Sequence, residues 1–118
     1  MNQENFTDSA WHCITSTYKF AQSLKHQRVT ILHLLDILIN EESGLIVKLI
    51  GEASGDIKVI KNSLAEELQK LPIVTGSENL IAESEIVSVL ESAELLSKKH
   101  ANEYVSIDWL LLALIQEM

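Results

Sequence analysis

Between residues 7 and 24 apolar or small side chains return every three or four positions, at Ala10, Ile14, Thr17, Ala21 and Leu24, the spacing of one face of an α-helix. The same stepping recurs at Ile86, Leu90, Ala93, Ser97 and His100. After each striped segment comes a short polar link and then a more apolar stretch. Thr30 and Ser106 open these stretches, and each hydroxyl is expected to accept from the free backbone N–H groups that begin a helix. Between the two units, Gly44 to Ile50 and Ile57 to Leu71 read as further helices, separated by a turn at Gly51 to Gly55 where the glycines supply positive φ. Pro72 stops the second of these, and Pro72 to Ala82, with Gly76, Ser77 and Asn79, carries the turn residues of a connecting loop. The pattern predicts six helices, at about 7–24, 30–41, 44–52, 56–71, 84–100 and 106–117.

The two units are an internal repeat. A shift of 76 residues lays Val29 to Ile39 on Val105 to Ile115 with six of eleven positions identical, and sets Phe20 against Leu96. Such units bury their faces by packing on each other, so the expected architecture is an all-α, pseudo-twofold bundle of about six helices forming one domain over 1–118. The first repeat covers about 6–71, the linker about 72–82 and the second repeat about 83–118. Met118 corresponds to Glu42, so the second repeat is expected to be truncated, without the counterpart of residues 43–71. Its last helix would then leave apolar surface uncovered, which favours self-association.

Composition narrows the function. With 118 residues and 47% hydrophobic side chains the chain can bury one modest core, and one proline and four glycines suit helices joined by short links. A formal charge of −8 repels nucleic-acid phosphates and acidic lipid surfaces, so neither nucleic acid nor membrane is an expected partner. Cys13 is the sole cysteine, which rules out an internal disulfide and suits a reducing compartment. The start MNQENFTDS lacks the regions of a signal peptide, and apolar runs such as Leu110 to Ile115 are too short to span a bilayer. A cytoplasmic, soluble protein is expected.

Nothing in the sequence assembles a catalytic centre. His12, His26, His33 and His100 form no i, i+4 pair and no grouping with metal-ligand spacing, so no metal site is expected. Cys13 sits on the apolar stripe of the first helix, where a buried, inert thiol is expected. Glu41-Glu42 and Glu66-Glu67 are sequence neighbours whose side chains diverge on a helix and read as solvated faces. No G-x-x-x-x-G-K-[ST] stretch is present, and Gly44, Gly51, Gly55 and Gly76 cannot form a phosphate-cradling loop. The chain is therefore read as a binding module with no cofactor.

Phe6-Thr7 before the first helix, His33-Leu34-Leu35 with Leu38-Ile39, Leu71-Pro72-Ile73-Val74-Thr75-Gly76 and Tyr104-Val105-Ser106 together resemble the Clp N-terminal repeat domain over essentially the whole chain. The leucine-proline-x-valine-x-glycine link looks like the ClpB branch. That resemblance implies a mobile domain tethered to a hexameric AAA+ unfoldase, with ATP and Mg confined to the AAA+ domains of the parent family. It implies capture of unfolded or aggregated clients in cooperation with the DnaK system. It also implies a shallow apolar groove with a polar rim, whose matching positions here are Thr7, Ser92, Leu96, Asn102, Asp108 and Trp109.

Each of these residues has a structural reading beside the functional one. Thr7 is an N-cap and Asp108 a first-turn carboxylate on the helix dipole, while Leu96 and Trp109 continue apolar stripes. Ser92 and Asn102 depart from the apolar and acidic residues common at those places in the family. Two alternatives remain beside client docking. One is an adaptor- or degron-binding domain of a ClpC- or ClpA-type protease unfoldase, disfavoured because phosphoarginine-reading domains carry glutamates where Leu32 and Asp108 stand, so that one of the two pockets would lack its carboxylate. The other is a self-associating structural module.

Overall fold

The computed structural model describes residues 2–75 and 79–118, so Gly76 and Ser77 of the expected linker turn lie outside the described residues. A short 3-10 turn precedes α1 (Asp8–Ser23), β1 (Arg28–Val29), α2 (Ile31–Ile39), α3 (Leu45–Glu52), α4 (Ile57–Gln69), β2 (Ile81–Ala82), α5 (Ser84–Lys99) and α6 (Ile107–Glu117). Six α-helices are thus present among the described residues, and the two short strands are the only departure there from the all-α expectation. The helix ends coincide with the expected spans or fall one or two residues inside them, because Thr7, Thr30, Asp56 and Asn40 act as caps and not as helical residues.

The striped positions point inward as the periodicity requires, except at the last position of each stripe, where Leu24 is half-buried and His100 is exposed. Ala10, Ile14, Thr17 and Ala21 of α1 are buried, as are Ile86, Leu90, Ala93 and Ser97 of α5. Leu34, Ile86, Leu110 and Leu114 are among the largest fully buried side chains, and removing each from water stabilises the fold by roughly 1.5–3 kcal/mol. α5 and α6 pack along their length as an antiparallel pair, and α1 packs on both α2 and α6. On the far side of α2 lie α3 and α4, which cover it.

The links between helices are not the plain polar connections the sequence suggested. Just past the C-caps of α1 and α5 the backbone turns left-handed, at Lys25 with φ 60° and Ala101 with φ 58°, positions 76 apart. In each case the next residue reaches back to close the helix: His26 N–H donates to Ala21 O (3.0 Å) and Asn102 N–H to Ser97 O (2.9 Å). The chain reverses there and runs extended into the following helix. Each extended segment then pairs with the opposite repeat. Val29 lies beside Ala82 in a parallel two-stranded ladder, and Val105 bridges Phe6, also parallel. Glu83 N–H donates to Val29 O (3.0 Å) and Thr7 N–H to Val105 O (2.9 Å). Applying the 76-residue shift turns one set of pairings into the other, which is the pseudo-twofold relation expressed in the backbone.

Two local expectations are corrected. Thr30 caps α2 through its hydroxyl, which accepts from Leu32 N–H at 3.2 Å, but Ser106, at the equivalent cap of α6, makes no side-chain cap bond. The two hydroxyls share a position and not a role, because His33 completes a reciprocal box with Thr30 whereas Trp109 has no acceptor to offer. At the turn after α3 the left-handed residue is Ser54 (φ 62°), and Gly51 is helical. Gly55 serves closeness instead: a Cβ there would stand 2.8 Å from Ile50 Cγ2.

Candidate functional site

The start of α6 is where most of the sequence-predicted docking residues meet. Thr7 caps α1, its hydroxyl accepting from Ala10 N–H at 3.1 Å, and its own N–H is tied to Val105, one residue before the cap of α6. Asp108 and Trp109 occupy the first turn of α6, the carboxylate exposed and the indole half-buried. The Trp109 ring stacks on His100 at the end of α5, centroids 5.1 Å apart and planes 20° from parallel. That stack brings the C-terminal turn of α5 to the N-terminal turn of α6. Leu96, one turn before His100, is half-buried against the core, as is Trp109. Asn102 is exposed in the connection, and its side-chain amide donates to His100 O at 3.3 Å.

Ser92 stands one turn further from this cluster. It lies on α5 between Ser88, which donates to Glu117 at the far end of α6 (3.2 Å), and Leu96. The face formed by Ser88, Ser92 and Leu96 is half-buried throughout, so it lines the seam between α5 and α6. Five of the six residues therefore surround the N-terminus of α6, and the sixth lies along the seam leading from it.

Two features of this region were not anticipated. His100 gives the indole a flat partner, whereas its repeat twin Leu24 offers none; the sequence carried no sign of the stack beyond the nearness of the two helix ends. Tyr104 is exposed and, with Phe6, Thr7 and Asp8, borders an open depression of about 610 Å³ beside the cap of α1. The rim is acidic: Glu4 and Asp8 line the depression, and Glu103 precedes Tyr104 in the chain. Such a surface offers partly covered aromatic and aliphatic area within a negative field, which suits an extended apolar segment of neutral or basic character.

The connection between α5 and α6 is held from beneath. Ser97 is buried, and its hydroxyl lies 3.2 Å from both Asn102 O and Tyr104 O. Thr17, on the equivalent face of α1, turns its hydroxyl to Cys13 O at 2.7 Å. Cys13 itself is buried, and burial with the nearby Glu41 charge pushes its thiol up to about 11. No group of three or more potential ligands that could hold a metal ion is found among the described residues. No helix among them is long and apolar enough to cross a membrane.

A family described as the Clp repeat (R) N-terminal domain matches residues 5–118. The chain belongs to this family. The chaperone protein ClpB of Rickettsia bellii is 34% identical over 116 residues, which is 97% of this chain and 14% of that protein. ClpB of Brucella suis biovar 1 is 33% identical over 118 residues, 99% of this chain and 14% of that protein. The chain thus spans about a seventh of the length of these ClpB relatives and corresponds to a Clp N domain of the ClpB type. Among solved structures, the Hsp104 N-terminal domain from Candida albicans superposes with a TM-score of 0.88 at 23% identity, covering 97% of this chain and 75% of that one. The N-terminal domain of the ClpV1 ATPase from E. coli gives 0.83 at 19%, covering 95% and 68%. At such identities these two likenesses speak for the fold alone, an all-helical Clp N domain.

Proposed function

We propose that this domain docks unfolded or aggregated protein clients for a ClpB-type disaggregase. In this reading it is tethered to a cytoplasmic, hexameric AAA+ ATPase that supplies ATP and Mg chemistry in its other domains and works with the DnaK system. The domain itself has no catalytic role and no cofactor. Family membership supports the chaperone setting, and the observation that carries the docking role is Trp109. Its indole is half-buried in the first turn of α6 and braced by His100 at the end of α5, with the exposed Asp108 beside it in the chain. A braced aromatic is pre-ordered, so binding immobilises little that was free.

A titration of the isotopically labelled domain with a permanently unfolded protein tests this reading. Amide shifts are expected to cluster at Thr7, Ser92, Leu96, Asn102, Asp108 and Trp109, and Trp109→Ala should weaken binding at least tenfold while α1 to α4 resonances stay in place. An unresponsive spectrum up to millimolar client, or unchanged binding by Trp109→Ala, would overturn it. Affinity of one domain is expected to be weak, with several copies on one hexamer supplying avidity.

Exposure on α6 favours a second reading, a self-associating module. Ile39 is 2% exposed under α3 and α4, whereas its repeat twin Ile115 is 57% exposed, with Leu112 and Met118 also open. Association that persists in Trp109→Ala would separate this from docking.

A further inference from the structure

His26 and His33 meet inside the first repeat, 6% and 0% exposed, with His26 Nδ1 and His33 Nε2 2.9 Å apart and ring centroids separated by 5.1 Å. Their tautomers follow from the neighbouring donors. Thr30 N–H donates to His33 Nδ1 at 3.0 Å, so that nitrogen holds a lone pair and the ring's single proton sits on Nε2. His33 Nε2–H then donates to His26 Nδ1, and the proton of His26 is left on its own Nε2. One direction of donation runs through the whole chain, from the Thr30 backbone through His33 to His26.

A further proton enters that chain only by displacing the Thr30 N–H bond, because on His33 Nδ1 its acceptor is Thr30 Oγ1, also 3.0 Å away. Added to His26 Nδ1, it faces the N–H of His33. If His33 turns acceptor to relieve this, its own proton moves to Nδ1 and confronts Thr30 N–H. Every route therefore breaks a bond that fixes residues 26–33, including half of the reciprocal box at the start of α2. The cost is high because the groups are buried away from replacement water.

These residues sit on a junction. The segment 25–29 grips the linker at both ends: Val74 N–H donates to Lys25 O (2.9 Å), Ile73 forms an antiparallel bridge with His26, Ile81 N–H donates to Gln27 O (2.8 Å), and Glu83 N–H to Val29 O (3.0 Å). A cavity of about 100 Å³ lies over His26, walled by Arg28, Thr30, Leu71, Pro72 and Glu83. The charged side chains lining the cavity over His26 are Arg28 from β1 and Glu83 from the cap of α5, while the elements that carry or pack on the pair add Lys19 and Lys25 from α1 and its end, Asp36 from α2 and Lys61 from α4. Phe20 of α1, edge-on to His33, and the linker residues Leu71, Pro72 and Val74 bring no titratable atom.

We propose that the His26–His33 pair is an acid-sensitive latch: neutral, it holds segment 25–29 in the form that clamps both ends of the linker, and on taking up a proton it releases them. Burial first, and then the neighbouring His26, push His33 down to about 4, and burial also lowers His26. Both shifts mean that the fold prefers the neutral rings, so release begins as pH falls below the ordinary histidine range of about 6.5. Glu83 is shifted upward, chiefly by burial and by Glu85, and its protonation acts in the opposite direction.

The test follows imidazole nitrogens and amide protection factors in the 118-residue chain between pH 7.5 and 4.5. At pH 7.5 both rings should carry their proton on Nε2. On acidification, protection at Val74, Ile81 and Glu83 should fall at least tenfold in step with ring protonation, while Leu90 and Leu110 stay protected. His33→Gln, whose amide can keep the Thr30 N–H bond without titrating, should hold protection at Ile81 and Glu83 down to pH 4.5. Equal loss in His33→Gln would overturn the proposal. Should that variant fail to fold, the parent chain decides alone: rings that titrate while the three linker amides stay protected, or loss of protection at Leu90 and Leu110 at the same pH, would overturn it.

Discussion

Thr7 donates its backbone N–H to Val105 O at 2.9 Å while its hydroxyl caps α1, so one residue both starts a helix and joins the two repeats. Glu83, 76 residues on, makes the matching backbone bond to Val29 O but has no side-chain cap bond. The repeats therefore keep the backbone relation and vary the side-chain chemistry on top of it.

The two hydroxyl caps are expected to respond differently to truncation. Thr7→Ala removes a cap bond and should destabilise by about 1 kcal/mol. Ser106→Ala removes a hydroxyl that caps nothing and should stay within about 0.5 kcal/mol of the parent. Urea unfolding of the two variants measures this, and equal losses would contradict the geometry.

Ser97 is the buried hydroxyl that serves the carbonyls of Asn102 and Tyr104, where the first repeat has Ala21. Ser97→Ala should destabilise by roughly 1 kcal/mol, since it removes the hydrogen bonds that the buried hydroxyl makes to two part-buried carbonyls. It should also broaden the amide resonances of 102–105, which hold Asn102 and Tyr104 at the candidate site. A variant as stable as the parent would mean that water serves those carbonyls instead.

Much of this architecture was legible because it rests on periodicity. The α1 and α5 stripes, the apolar α2 and α6, and the 76-residue register are all properties of spacing, and burial follows spacing. The links were less legible, because the pairing of Val29 with Ala82 and of Val105 with Phe6 is set by chain reversals at Lys25 and Ala101, neither of which is a glycine. The histidine pair was hidden for the same reason. His26 and His33 are seven residues apart across a turn and a helix start, a spacing that means nothing until the turn is known. At the candidate site, family resemblance named the residues, but the His100–Trp109 stack depends on how two helix ends meet and no pattern along the chain encodes it.

Stability should fall with acid in the direction set by the histidines. His33 is held down at about 4 in the fold, so its contribution is fully present above about pH 6.5 and is lost progressively as pH drops towards 4. The distance between those two values corresponds to a loss of about 3 kcal/mol at most from this residue. Glu83 and Asp36 are shifted upward, mainly by burial, and so offset part of it as they protonate in the fold. Denaturant unfolding at pH 7.5 and 4.5 should show the drop, reduced in His33→Gln; a flat profile would count against the buried neutral pair.

Cys13 should report on opening of the core. With its thiol pushed up to about 11 and its side chain buried at the α1–α2 groove that Ile37 and Glu41 also line, almost none is thiolate at pH 8. Alkylation in the native state is expected to run orders of magnitude slower than in concentrated urea and to accelerate in Ser97→Ala in proportion to lost stability. Rapid native-state labelling would show that the groove opens locally.

Ile39 and Ile115 hold equivalent places in α2 and α6, yet one is covered by α3 and α4 and the other is open to solvent. A charge at the first must enter the core without a partner, so Ile39→Glu should abolish folding or destabilise by several kcal/mol. At the second it stays in water, and Ile115→Glu should leave stability within about 0.5 kcal/mol. Sedimentation then asks what the open face does: concentration-dependent association in the parent should disappear in Ile115→Glu, because a carboxylate in an apolar contact is desolvated without compensation. Should the parent stay monomeric at millimolar concentration, the apolar face of α6 is tolerated in water and self-association has no part in how the domain works.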